Sequence, residues 1–315
     1  MSALAVGPVT PAPERATPVA VADPARVGPR RIAHLGFVLP FVVVMAGLLV
    51  LPLAQGFWLS LHEVDALSGE AVWVGLDNYR ALFEDPQFVG ALRNTLVFVL
   101  ITVPAFVGVG LALALALNQP GRTAAALRAL FFGASVLSVT IVTLVWRLVF
   151  MTDRGLLAQV MRTLGLDPVN PLIEPALALP AVGLVTVWWI IGLPMMLFLA
   201  ALQQIPAEVY EAAALDHAGP WQRLRAITLP ALGRTIGVVV AIEVILQFQL
   251  FGQVQLMTLG GPDNRSRPLV LYIYEAGFQQ WAVGLAAAAS MLLFVLMLAA
   301  VALQMRLTTP REDRT

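Results

Sequence analysis

The chain contains no cysteine. Disulfides, thiol nucleophiles and thiolate metal sites are thereby excluded. It contains no lysine either; all 19 of its basic residues are arginines. A phosphate-gripping P-loop requires a lysine, so the chain does not bind ATP in that way. If ATP drives it, another chain holds the nucleotide. Charge of either sign is scarce, at 12% of residues, where a soluble domain carries about 25%. The formal net charge is +0, which offers no electrostatic footprint for nucleic acid. The only histidines, His34, His62 and His217, fall at or beyond the ends of apolar runs, and no aspartate pair lies inside one. Hydrolysis within a membrane needs a histidine, paired aspartates or a metal cluster at depth. No catalytic and no metal-ligating residues are therefore expected.

Apolar residues make up 59% of the chain. A helix crossing about 30 Å of hydrocarbon needs about 20 mainly apolar residues. Six runs qualify: 35–61, 92–118, 124–150, 176–202, 233–259 and 278–305. Barrel-type alternation is missing, so helices are the only way to satisfy the backbone in lipid. Pro104 and Pro194 lie inside runs and are expected to free a carbonyl and kink the helix. Residues 1–31, rich in proline and alanine, read as a disordered tail. The first apolar run is too long for a signal peptide and lacks a clear small-residue cleavage site, so it is expected to remain as an anchor. Three parts result: the tail at 1–31, a six-helix domain at 32–305 and a second tail at 306–315.

Arginine placement sets the orientation. One side carries Arg15, Arg26, Arg30 and Arg31, then Arg122 and Arg128, then Arg223, Arg225 and Arg234, then Arg306, Arg311 and Arg314. The other carries fewer: Arg80, Arg93, Arg147, Arg154, Arg162, Arg265 and Arg267. Both termini, and the loop between the fourth and fifth runs, are therefore expected in the cytoplasm. In the first external loop, Asp77 and Asn78 precede an amphipathic pattern of Tyr79, Leu82, Phe83 and Phe88. That pattern fits a short helix on the membrane surface. It fits equally well a cap packed over the bundle.

Residues 211–230 read EAAALDHAGPWQRLRAITLP, a polar stretch between two apolar runs. Such a loop has a reason to be structured if a soluble partner grips it. Pro206 suits the first turn of a helix. Glu208 and Glu211 then sit near a helix N-terminus, which favours carboxylates. Val209, Ala212, Ala213 and Asp216 stand at three- and four-residue spacings and share neighbouring faces. The alanines keep that surface thin. Gly219 and Pro220 redirect the chain, 221–227 suits a second short helix, and Pro230 is expected to stop it. The expected shape is a helix–turn–helix knuckle.

The same stretch resembles the EAA loop of permease subunits of ATP-binding-cassette (ABC) importers, E-A-A-x-x-D-G-A followed by I-x-L-P. Glu211, Ala212, Ala213, Asp216, Ala218, Ile227, Leu229 and Pro230 stand in register, and Trp221 matches an aromatic of the carbohydrate-importing branch. The chain departs from the pattern at His217, where glycine is usual, and at Leu224, often phenylalanine. The segment LGGPDNRSRPLVLYIYEAGF is similar to an external segment of sugar-importer permeases through Gly260, Gly261, Pro262, Leu271, Tyr272, Ile273, Tyr274 and Phe278. GLDNYRALF, RNTLVF and LAALQQIPAEVYEAA extend the likeness over 32–305.

The resemblance, to the maltose and glycerol-phosphate type, implies an all-α integral membrane fold. Six transmembrane helices would carry a cytoplasmic helix–turn–helix coupling loop. The chain would be a non-catalytic permease subunit in a bacterial or archaeal cell membrane. With a second homologous permease it would form the path for a sugar or sugar-like solute delivered by an extracytoplasmic solute-binding protein. Two ATP-binding-cassette ATPase subunits would hold ATP and Mg; this chain would bind no cofactor. Glu211, Ala212, Ala213, Asp216, His217 and Ala218 would contact the ATPase.

Polar groups inside a span are costly and face a cavity or a partner. The fifth run holds Glu243, Gln247, Gln249, Gln253 and Gln255. At helical spacing Glu243, Gln247 and Leu250 share one stripe, with Gln249 and Gln253 nearly opposite. One stripe can line a pathway while the other bonds across a helix interface; the resemblance favours the Glu243 stripe for the sugar. Ser135 in the third run and Trp188 in the fourth are further pathway candidates. Their hydroxyl and indole serve the helices equally well. Two rival functions remain at this stage: a proton-coupled carrier using Glu243, which leaves 211–230 unexplained, and an ABC permease for a non-sugar solute.

Overall fold

The computed structural model describes residues 31–65 and 68–308, with side chains at 38–65 and 68–306. Most of the tails expected at 1–31 and 306–315 lies outside these residues. The chain forms two units, Met1–Pro52 and Leu53–Thr315. In the first, helix Arg31–Met45 passes into a π turn at Ala46–Val50, closed by the Leu51 N–H on the Ala46 carbonyl. Pro52 follows at once. A proline inside an α-helix drives its ring into the carbonyl four residues back. One extra residue in the turn relieves that clash. The second unit repeats the device at Leu224–Thr228, where Leu229 N–H closes on Leu224 and Pro230 follows.

Among the described residues three helical stretches are long and apolar enough to cross a membrane: Val38–Ser60, Pro86–Leu117 and Val283–Arg306. Three more candidates are bent pairs. Arg122–Ala134 and Val139–Phe150 meet at 100°, Ala178–Ile190 and Gly192–Leu202 at 48°, and Pro220–Ala231 and Gly233–Phe248 at 65°. The third apolar run is thus not the continuous rod expected at 124–150. Two serines account for the break. The Ser135 hydroxyl donates to the Phe132 carbonyl at 2.6 Å, ending one helix. The Ser138 hydroxyl accepts from the Ile141 N–H at 3.4 Å, starting the next. The fifth run also departs from expectation. Its helix ends at Phe248, and a separate short helix, Gly252–Met257, takes over after Phe251. The sixth begins at Val283 rather than 278, because a π turn at Glu275–Gln279 closes the preceding helix.

The second span is longer than expected at its start. Asp85 caps it by accepting from the Gln87 N–H at 2.8 Å, and Pro86 takes the first position. Its 32 residues rise about 48 Å, more than a bilayer core of about 30 Å. Pro104 leaves it unbroken. It packs along Gly192–Leu202, where a Cβ on Gly110 would lie 2.9 Å from the Pro194 Cβ. A Cβ on Gly192 would meet the Phe131 carbonyl oxygen at 2.6 Å. Small residues let these backbones approach, as packing in lipid demands. Facing outward, Leu96, Leu100, Leu144, Leu148, Val295 and Leu298 are exposed, a surface suited to lipid.

Helix Asp77–Glu84 forms where the amphipathic pattern predicted it, and packing decides between the two readings. Leu82 and Phe88 are fully buried against Leu269, Tyr272, Ala286 and Ala289, so the segment is a cap on the bundle. Asn78 holds it down by donating to the Ser60 and His62 carbonyls, both at 3.0 Å. A small antiparallel hairpin, His62–Val64 with Ala71–Trp73, precedes it and was not foreseen.

Candidate functional site

The knuckle takes the expected helix–turn–helix form. Pro206 is the cap residue of helix Ala207–Leu215, one position earlier than its sequence role. The helix closes with Ala218 N–H on the Ala213 carbonyl at 2.9 Å and His217 N–H on the Ala214 carbonyl at 3.1 Å. This Schellman pattern places the residue after the helix in the left-handed region. That residue is His217, with φ 54°. A glycine there pays no Cβ penalty, which gives the glycine of the resembled motif its reason. The second helix starts at Pro220, and the Gln222 side chain accepts from the Gly219 N–H at 2.9 Å. Arg223 Nε donates to the Ala218 carbonyl at 2.8 Å, tying helix to turn. Pro230 does not stop this helix. The π turn absorbs it, and the chain bends two residues later, at Leu232.

One side-chain contact braces the two arms. The Tyr210 hydroxyl lies 2.9 Å from the Thr228 hydroxyl. Neither residue is marked by the sequence pattern. Ala213 is buried, and Ala218 is half-buried; Glu211, Ala212, Asp216 and His217 are exposed. Leu215 and Trp221, at 82% and 68% exposure, leave a large apolar surface at the knuckle's tip. A two-armed projection with an internal brace and an apolar tip can receive a push and pass it on.

In the fifth span the structure brings together Glu243 and Gln247. Both are buried, and the Gln247 amide donates to the Glu243 carboxylate at 2.9 Å. Leu250 lies beyond the helix end, buried with Val142, Val182 and Val254. The stripe drawn from helical spacing therefore stops at Phe248, and Gln253 and Gln255 belong to the next helix. Gln249 is exposed at the helix end. Ser135 serves the bend of the third run. Trp188 is half-exposed and meets Trp146 edge-on at 5.4 Å between ring centres. Its neighbour Trp189 donates from its indole to the Leu137 carbonyl at 3.2 Å, across the same bend.

A polar clamp on the opposite end of the bundle from the knuckle escaped the sequence reading. Tyr272 donates to the Asp85 carboxylate at 2.7 Å. Arg267 pairs with Glu275 at 3.2 Å and donates to Gln87 at 2.8 Å. Asn94 donates to the Asn264 and Arg267 carbonyls at 2.8 and 3.0 Å. Burial, reinforced by the Asp85 bond, pushes the Tyr272 hydroxyl above its ordinary pKa. Burial also raises the Glu275 carboxyl, against the opposing pull of Arg267. These partners stand far apart in sequence, and the only local signal was the Asp85–Pro86 helix start. Among the described residues no group of three or more His, Cys, Asp or Glu is placed to hold a metal.

Comparison with known proteins adds three findings. Residues 86–309 match the family described as binding-protein-dependent transport system inner membrane component. The probable ABC transporter permease protein YurN of Bacillus subtilis is 31% identical over 284 residues, 89% of this chain and 97% of that protein. The sulfoquinovosyl glycerol transport system permease protein SmoG of Agrobacterium fabrum is 30% identical over 287 residues, 91% and 93% of the two chains. In fold, the chain is similar to one in the crystal structure of a bacterial alginate ABC transporter in complex with alginate pentasaccharide-bound periplasmic protein. The TM-score is 0.77 at 24% identity, over 91% of this chain and 96% of that one.

Proposed function

We propose that this chain, which belongs to the binding-protein-dependent transport system inner membrane components, forms half of the path by which an ABC importer takes up a sugar or sugar-like solute. It is the membrane permease subunit of such an importer. A second, homologous permease completes the path. Two ATPase subunits bind ATP and Mg, and an external binding protein delivers the solute. The arginine distribution puts both termini and the knuckle in the cytoplasm. There the knuckle seats in a groove of an ATPase subunit, through Glu211, Ala212, Asp216, His217 and Ala218, with Leu215 and Trp221 supplying apolar contact. Ala213 acts from inside the knuckle, where it lets the arms close.

The observation that carries this reading is the braced knuckle itself. It leaves Leu215 and Trp221 exposed on a structured segment between the helices Gly192–Leu202 and Gly233–Phe248, and a large exposed apolar surface marks an interaction site. The sugar assignment is supported by the relative named for sulfoquinovosyl glycerol and by the buried Glu243–Gln247 pair. Carboxylate and amide groups can grip vicinal hydroxyls once a solute replaces one partner of that bond. Leu250, Ser135 and Trp188 complete the proposed lining.

Co-purification from the native membrane tests the reading. Two ATPase chains, a second permease and a binding protein should accompany this chain. The reconstituted assembly should hydrolyse ATP faster when the loaded binding protein is added. Glu211→Arg and Ala212→Trp should insert normally and lose that stimulation. Stimulation that survives both changes removes the knuckle from the mechanism. Stimulation by an amino acid or phosphate binding protein alone overturns the sugar assignment.

A further inference from the structure

A cleft of about 570 Å³ opens where the knuckle meets the ends of the fourth and fifth spans. Ile205, Val209 and Ile227 form its apolar wall, and Gln204, Arg234 and Thr235 its polar rim. No carboxylate lines it. Arg234 is exposed and, among the described residues, forms no hydrogen bond or ion pair. The fourth-span helix ends at Leu202 and the fifth begins at Gly233, so the cleft lies at the depth where hydrocarbon gives way to water. A cation above an apolar wall at that depth matches one class of molecule: an amphiphile with an anionic head and an acyl tail.

We infer that this cleft is a binding site for an acidic glycerophospholipid of the leaflet facing the knuckle. The phosphate sits against Arg234, with Gln204 and Thr235 as hydrogen-bond partners, and the upper acyl chain lies along Ile205, Val209 and Ile227. Because Val209 and Ile227 come from different arms of the knuckle, the occupant touches both arms and both spans at once. The lipid thereby stiffens the joint through which the knuckle moves the membrane helices. The inference rests on the permease reading for its consequence, and on the cleft alone for binding.

Native mass spectrometry on the full chain in neutral detergent tests binding without any partner. Dioleoyl phosphatidylglycerol should be retained in preference to dioleoyl phosphatidylcholine. A cation near a membrane surface contributes about 1 kcal/mol toward an anionic lipid, so Arg234→Gln should weaken retention about fivefold. Arg234→Lys should restore it, and Arg306→Gln, which removes a cation outside the cleft's lining, should leave it unchanged. Millimolar inorganic phosphate should not compete, since it lacks the tail. Equal retention of both lipids, equal weakening by Arg306→Gln, or displacement by phosphate overturns the site. So does loss of the lipid when the complete importer is assembled, which would show a partner subunit covering the cleft. In nanodiscs, replacing phosphatidylcholine with phosphatidylglycerol should raise binding-protein-stimulated ATP hydrolysis for the wild type and not for Arg234→Gln. Equal responses overturn the stiffening role. Failure of the lipid arm leaves the importer reading standing, because the two are measured on different preparations.

Discussion

Tyr210 donates across the knuckle to Thr228 at 2.9 Å, and the Thr228 hydroxyl in turn donates to the Arg223 carbonyl at 3.3 Å. The relay joins the first arm to the π turn of the second. Tyr210→Phe removes one hydrogen bond and should cost about 1 kcal/mol of local stability. Membrane insertion should be normal. Binding-protein-stimulated ATP hydrolysis should fall at least by half, because the arms no longer move as one body. Full stimulation in the purified complex would remove the brace from the coupling path.

His217 holds a left-handed conformation, φ 54°. Histidine tolerates that region better than most residues, while a β-branched side chain does not. His217→Gly should raise the thermal midpoint or leave it level, with transport retained. His217→Val should destabilise the turn by about 1–2 kcal/mol. Indistinguishable melting of the two variants would mean that the residue does not adopt this backbone in the assembled protein.

Glu243→Ala and Gln247→Ala should each impair transport or change which sugar is accepted, with the complex still assembling. Solute affinity of the isolated binding protein should be unaffected. Gln249→Ala, at the exposed end of the same helix, is the control and should affect assembly more than selectivity. Altered substrate choice in Gln249→Ala, alongside normal transport in the other two, would place the lining on the other face.

At the far end of the bundle, Tyr272→Phe should strip Asp85 of one of its two hydrogen-bond partners. A hydrogen bond to a charged group contributes about 1.5–3 kcal/mol, so the thermal midpoint of the purified chain should drop measurably. Asp85→Asn keeps an acceptor oxygen and should lose less. The reverse order would show that the charge of Asp85 matters beyond its bond to Tyr272.

The apolar runs and the knuckle were legible in the sequence because both depend on local pattern: hydropathy over a window, and residue types at fixed spacing. Direction was not legible. Hydropathy does not register that Ser135 ends one helix and Ser138 starts another, so a 100° bend looked like a rod. The left-handed turn at His217 lacks its usual marker, glycine, so only the glycine of the resembled motif at that position pointed to it. Asp85 and Tyr272, 187 positions apart, share no local signal; their contact exists only once the second span stands beside the segment after the fifth. Glu243 and Gln247 were found because one helical turn separates them. Leu250 was placed on the same stripe by extending a helix that ends at Phe248.

The π turn at Leu224–Thr228 carries a residue more than an α-helix would use for the same rise. That residue sets a dihedral relation between the tip of the knuckle and the bundle. Deleting one residue from the turn would rewind it to α geometry over the same rise. Pro230 would then meet a carbonyl it now avoids, so the shortened arm would be stable only with Pro230 replaced as well. The bulge and the proline are therefore a matched pair, and together they aim the knuckle's apolar tip.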